Sequence, residues 1–182
     1  MESRAKLLGH PIHPMLVVLP LALLSTAVLF DAVYLVSGNG EFATLAFWNI
    51  SIGLVGGLLA ALFGLIDWLN IRQGTRARRI GAWHGLGNAI IVLLFVVSWA
   101  LRLDKPAYAY APAALPFVLG LIGVGLALVT AWLGGELVYR LRIGVDDIAN
   151  PDAPSSLSGP VPDREDRDRE ERERGRGPAR VS

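Results

Sequence analysis

The sequence contains no cysteine, which excludes disulfide bonds, thiolate metal sites and cysteine-ligated iron–sulfur clusters. It also lacks the clustered basic charge that binds nucleic acid, since its formal net charge is only +1. There is no Walker loop, no GxSxG and no HExxH motif. The sequence therefore predicts no nucleic-acid partner and no catalytic residue, and it leaves open whether the protein is an enzyme.

Charge is scarce everywhere except near the C-terminus. Residues 163–176 hold six Arg and seven Asp or Glu, whereas the first 162 residues hold nineteen charged side chains. The segment from about Pro151 onward is also rich in Pro, Ser and Gly, and such a segment has little apolar surface to bury. We predict a transmembrane domain over residues 1–145 and a flexible, charged cytoplasmic tail over residues 146–182.

Four apolar stretches are each long enough to cross a bilayer as a helix, which takes about 20 residues. They cover residues 15–36, 43–66, 80–101 and 111–137. The first is longer than the core of a cleaved signal peptide, so we expect it to be retained. Short connections favour sequential antiparallel neighbours. The predicted fold class is all-α: a membrane-spanning four-helix bundle of up-down-up-down topology with a disordered C-terminal tail.

Basic residues near the ends of these stretches predict the orientation, because Lys and Arg are enriched in cytoplasmic loops. The only basic residues in the two predicted outer loops are Arg102 and Lys105. Eight basic residues lie at the other ends of the stretches: Arg4, Lys6, Arg72, Arg76, Arg78, Arg79, Arg140 and Arg142. We therefore predict that both termini and the middle loop are cytoplasmic.

Small residues recur at helical spacing in the second and fourth stretches, where they would allow close packing of helices in lipid. We expect these stripes to be helix–helix contacts within the chain; the alternative is an interface between copies in a homo-oligomer. The stripes are Gly53, Gly57, Ala60 and Gly64, and Gly123, Ala127, Ala131 and Gly135.

The segment "HPIHP", residues 10–14, precedes the first stretch. A residue before proline avoids the helical region, so His10 and His13 are expected in extended or capping backbone. Pro14 suits the first turn of a helix, and Pro20 is expected to kink it. A stiff segment of this kind would fix the direction of both imidazoles.

Polar residues in the apolar stretches fall at two depths, and ionisable groups inside a membrane usually face the bundle interior. Helical spacing places His84 on the face of Asn88, and Asn49 on the face of Asp67. It also places His13 on the face of Asp31, provided that the kink at Pro20 does not rotate the helix. The predicted outer layer is Asp31 paired with Asn49. The predicted cytoplasmic layer is His10, His13, Asp67, His84 and Glu136, of which Glu136 fits its helix face least well.

Imidazole and carboxylate together suit a divalent transition metal, and two imidazoles can also ligate haem iron. We predict cofactor binding by His10, His13 and His84, with Asp67 as a fourth metal ligand or an outer acceptor. Two other uses stay open: a proton path, since imidazole titrates near neutral pH, and hydrogen bonds that only brace helix ends. The functional hypotheses are a metal- or haem-binding subunit of membrane redox chemistry, a non-catalytic scaffold or assembly protein, and a proton-coupled transporter using Asp31 and Asp67.

"GHPIHPMLVVLPLALL", followed by Asp31, "GLIDW" and "AWHGLGN", resembles the bacterial membrane proteins grouped as domain of unknown function 2231. The resemblance covers about residues 7–143 and implies a four-helix domain of the bacterial inner membrane. It also implies membrane redox proteins as partners, because relatives are joined to Rieske or cytochrome-like modules. "MLVVLP" departs from the pattern, which would place a polar–aromatic pair before the proline. The matching positions are His10, Pro11, His13, Pro14, Asp31, Asp67 and His84.

Overall fold

The computed structural model describes residues 1–103, 112–147, 149–158 and 172. Lys105 and most of the predicted tail lie outside the described residues. Four helical segments are long and apolar enough to span a membrane: Ile12–Ser37, Gly40–Asn70, Arg76–Ala100 and Ala114–Arg140. The predicted all-α, four-span bundle is therefore confirmed.

A short antiparallel pair of strands precedes the bundle, with β1 at Lys6–Leu7 and β2 at His10–Pro11. The first span then consists of α1, Ile12–Leu16, and α2, Val18–Ser37. The break at Val17 lies where proline predicts it, because Pro20 has no N–H to donate to the carbonyl of Leu16. The backbone before Pro14 differs from the prediction. His10 is extended as expected, but His13 is already helical.

The other spans have clear start signals. Helix α3, Gly40–Asn70, is preceded by Asn39, whose side chain accepts a hydrogen bond from the backbone N–H of Glu41. Helix α4, Arg76–Ala100, is preceded by Thr75, whose hydroxyl accepts a hydrogen bond from the backbone N–H of Arg78. Both are N-caps that satisfy free backbone donors of the first turn. Helix α5, Ala114–Gly135, continues into a π-helical turn, Glu136–Arg140.

The bundle consists of two helical hairpins, α2 with α3 and α4 with α5, packed on each other. Helix α2 also contacts α5, and α3 also contacts α4, so that α2 and α4 lie diagonally across the bundle. The side chains between the helices form the main apolar core, and most other large apolar side chains of the spans point outward, as lipid requires. The core residues are Leu24, Ala27, Val28, Ala46, Ile50, Leu54, Ile91 and Phe95.

The second hairpin repeats the contacts of the first about 70 residues later. A Cβ on Gly53 would lie 2.8 Å from Leu24, and a Cβ on Gly123 would lie 2.7 Å from Phe95. The glycine stripe of α3 is therefore a contact with the first span, as predicted. The small residues of α5 form such a helix–helix contact only in part, because Ala131 is exposed. A contact between copies of the chain stays a prediction.

Candidate functional site

His13 joins the first span to α3. Its Nδ1 lies 2.8 Å from the backbone carbonyl oxygen of Ala60. The ring packs on Gly64, where an added Cβ would lie 2.8 Å from the imidazole Cε1. Glycine at this position therefore allows the imidazole to approach the backbone of α3 and reach the carbonyl one turn away.

His84 makes the same arrangement in the second hairpin. It lies about 12 Å along α4 from the start of that helix. Its Nδ1 is 2.8 Å from the carbonyl oxygen of Thr130, and a Cβ on Gly134 would lie 3.2 Å from its Cε1. The predicted shared face with Asn88 is confirmed, because the Asn88 amide donates to the His84 carbonyl at 2.8 Å and lies 3.2 Å from Nε2.

The two imidazoles face each other across the bundle. Their centroids are 6.4 Å apart and their planes are almost perpendicular, at 86°. The ring contact joins residues 71 positions apart, just as the two carbonyl partners, Ala60 and Thr130, are 70 apart. We call His13 and His84 the histidine pair. The repeat of the two hairpins therefore places one imidazole from each hairpin at the same depth.

The hydrogen bonds of the histidine pair define its tautomers. A carbonyl oxygen can only accept, so each Nδ1 must carry the hydrogen that it donates. In a neutral imidazole the other nitrogen, Nε2, then keeps its lone pair. Imidazoles that bind metals almost always donate their other N–H to a carbonyl, carboxylate or water in this way. In the neutral form each ring of the histidine pair therefore has its lone pair on Nε2, and the Nε2 of His84 lies 3.2 Å from the Asn88 amide, which would have to move before a metal binds there.

The rest of the predicted cytoplasmic layer is engaged elsewhere. His10 is exposed, with Nε2 3.3 Å from the hydroxyl of Ser156. Asp67 accepts hydrogen bonds from the Ser3 hydroxyl at 2.7 Å and from the backbone N–H of Arg4 at 3.1 Å. Glu136 forms an ion pair at 2.6 Å with Arg76. Within the described ranges, no group of three or more His, Asp or Glu is placed to hold a metal ion.

A second polar contact joins the first and third spans, near the ends opposite to the histidine pair. Asp31 and Arg102 form a bidentate ion pair, with N–O distances of 2.8 and 2.6 Å, and each side chain is only 1% exposed. The Arg102 guanidinium also donates to the hydroxyl and carbonyl of Ser98. The predicted pairing of Asp31 with Asn49 is wrong, because the Asn49 amide donates to its own helix at Leu45.

Arg102 was not predicted as a partner of Asp31, because its place in the sequence assigns it to an outer loop. Two signals point to it. A carboxylate inside a membrane requires a partner, and Arg102 is the basic residue at the matching end of the third span. Asp31 and Arg102 are also 71 positions apart, the same separation as His13 and His84.

Fold and site together define an integral membrane protein with four apolar spans and two polar contacts across its core. Residues 9–147 match the family model described as "Predicted membrane protein (DUF2231)", and the chain belongs to this family. No curated protein and no solved structure matches the chain.

Proposed function

We propose that the protein binds haem between His13 and His84 and acts as an electron-carrying subunit of the bacterial inner membrane. The observation that carries this proposal is the pair of facing imidazoles, each held by a hydrogen bond from Nδ1 to a carbonyl, so that in a neutral ring the lone pair is on Nε2. Such sites, built from facing helices in the core of a bundle, are common for cofactors.

The number of ligands favours haem over a bare metal ion. A structural zinc site takes four protein ligands and a catalytic one takes three, whereas the histidine pair supplies two. Haem brings four in-plane nitrogens of its own and needs the protein only for axial ligands. An imidazole nitrogen binds a transition metal at about 2.0–2.1 Å, so two rings with centroids 6.4 Å apart are close enough to share one ion.

The same ligand set favours electron transfer over substrate chemistry. If both axial positions of an iron are filled by imidazole, no position is open for oxygen or another substrate. The protein's contribution is then to hold two imidazoles in fixed tautomers within an apolar bundle, where burial and hydrogen bonding adjust the reduction potential.

The second candidate function is a non-catalytic scaffold, and one observation favours it. Both imidazoles already join neighbouring helices through their Nδ1 hydrogen bonds, and no buried side-chain nitrogen or oxygen in the described part of the chain lacks a partner. The proton-coupled transporter is not proposed, because Asp31 is held by Arg102 and Asp67 by the N-terminal segment.

Absorbance separates these functions. The full chain, expressed with added haem precursor and purified in mild detergent, should show a Soret band that disappears in His13→Ala and in His84→Ala. His10→Ala is the matched control, because this exposed imidazole should leave the band unchanged. If elemental analysis finds a transition metal and no Soret band appears, the cofactor is a metal ion rather than haem. Absence of both would favour the scaffold.

We further propose that both termini are cytoplasmic. The basic residues gather at the end of the bundle where the backbone N-terminus of Met1 donates to the carbonyl of Arg142. Because the chain has no cysteine, single cysteines can report the orientation. A membrane-impermeant thiol reagent added to whole cells should label Ser37→Cys and spare Ser156→Cys; the reverse pattern would invert the orientation.

A further inference from the structure

Five arginines surround the end of the bundle where α3 ends, α4 begins and the fourth span ends. All five are exposed, and we call them the basic rim: Arg4, Arg72, Arg79, Arg140 and Arg142. The N-terminal segment is part of this end, since the N–H of Arg4 donates to Asp67 and Met1 contacts Arg142. The rim therefore combines residues from both hairpins.

The basic rim has no carboxylate partner, because none of its arginines forms an ion pair within the part of the chain that the structure describes. Neighbouring acidic groups are already engaged: Glu2 with Lys6, and Glu136 with Arg76. Arg78, by contrast, is used by the fold, since it donates to carbonyls at the end of α3 and covers Trp68.

The opposite end of the bundle differs. Among the described residues there, Glu41 is an exposed acid, and the charges of Asp31 and Arg102 are buried against each other. Of the residues described, exposed and unpaired positive charge therefore lies at the end of the basic rim and not at the opposite one. It borders on exposed apolar and aromatic side chains of the spans, including Leu69 and Tyr139, so that one ligand could meet both surfaces.

We propose that the basic rim binds the headgroups of anionic phospholipids. A planar guanidinium donates two parallel hydrogen bonds to a phosphate, which a compact ammonium cannot do. A lipid phosphate lies at the depth of the rim while its acyl chains cover the apolar side chains below. Basic side chains at a membrane surface are attracted to anionic lipids in the same way.

The test compares the full chain in nanodiscs of phosphatidylcholine with nanodiscs that also contain phosphatidylglycerol. We expect the midpoint of thermal unfolding to be several degrees higher with phosphatidylglycerol. The combined variant R72Q/R79Q/R140Q/R142Q should lose this difference. The matched control is Arg76→Gln at the same end, which removes an arginine paired with Glu136; it should keep the difference between the two lipids.

Two results would overturn the proposal: equal midpoints in both lipids for the unaltered chain, or an undiminished difference in the combined variant. Inorganic phosphate added to phosphatidylcholine nanodiscs distinguishes the sources of phosphate. It should give no stabilisation, and stabilisation equal to that by phosphatidylglycerol would mean a soluble anion site. None of these outcomes depends on haem, because the rim excludes the histidine pair.

Discussion

The histidine pair and the Asp31–Arg102 ion pair join the same two spans, at positions about 27 Å apart along the helices. In each case the partners are 71 residues apart, because each pair joins equivalent positions of the two hairpins. The two pairs differ in how their hydrogen-bonding groups are used. The ion pair has its charges and donors matched. In the histidine pair, Nδ1 of each ring donates to a carbonyl and the lone pair of a neutral ring is on Nε2; the Nε2 of His84 also lies 3.2 Å from the Asn88 amide.

This difference is the reason why we propose a binding site at the histidine pair and not at the ion pair. A buried ion pair gives little net stability, but losing one partner is costly because the other charge stays buried. A neutral imidazole has no such penalty and can take up a ligand without leaving its helix. The Asp31–Arg102 pair is therefore a contact that is costly to break, and the histidine pair is the contact for which we propose a cofactor.

Arg102→Ala should have the largest effect, because it leaves the carboxylate of Asp31 buried without a counter-charge. We expect a loss of about 3–5 kcal/mol in the free energy of unfolding, measured by denaturant unfolding in micelles. Arg79→Ala, which removes an exposed arginine, is the control and should change stability little. A loss below about 1 kcal/mol for Arg102→Ala would show that the pair is not needed for the fold.

Exchanging the charges sharpens the comparison. Because positions 31 and 102 are equivalent in the two hairpins, the double variant D31R/R102D should restore the pair, although each single variant buries two like charges. We expect a coupling energy of up to about 3 kcal/mol in the double-mutant cycle. If the stability losses of the two single variants simply add in the double variant, then Ser98 and the local backbone, rather than opposite charge, select this pairing.

The glycines under the histidines should have intermediate effects. An alanine Cβ at position 64 would lie 2.8 Å from the His13 ring, and one at position 134 would lie 3.2 Å from the His84 ring. Gly64→Ala should therefore cost about 1–3 kcal/mol and weaken haem binding more than Gly134→Ala does. Thermal unfolding and haem titration measure the two effects. Equal behaviour of both variants would contradict the close approach at Gly64.

Asn88→Ala should have the smallest effect on stability. The Asn88 amide donates to a carbonyl of its own helix and lies near His84 Nε2, so its loss should cost about 0.5–1.5 kcal/mol. Because this substitution frees the Nε2 lone pair, haem should bind at least as tightly as to the unaltered chain. Weaker binding, measured by absorbance titration, would mean that Asn88 positions the imidazole.

The sequence alone predicted much of this arrangement. Apolar length gave the four spans, and helical spacing placed His13 with Asp31 and His84 with Asn88. The position of each residue along its span predicted that His13 and His84 lie at the same depth, but depth alone does not identify which side chains form hydrogen bonds with each other. Asp67 was expected beside the imidazoles, yet the Ser3 hydroxyl and the backbone N–H of Arg4 satisfy it instead.

The repeat of the hairpins was not predicted, because equivalent positions carry different side chains. Leu24 corresponds to Phe95, and Asp31 corresponds to Arg102. What repeats is the spacing between a bulky or polar side chain on one helix and a glycine on the next. Such a pattern depends on packing across the hairpin, which periodicity within one helix does not show.

The central claim, that His13 and His84 share one haem iron, is tested most directly by titrating the purified chain with haem and recording its spectrum. We expect saturation at one haem per chain with a six-coordinate, low-spin spectrum. His13→Ala and His84→Ala should each give a five-coordinate, high-spin spectrum or lose binding. A low-spin spectrum unchanged in either variant, or no saturable binding by the unaltered chain, would contradict the claim.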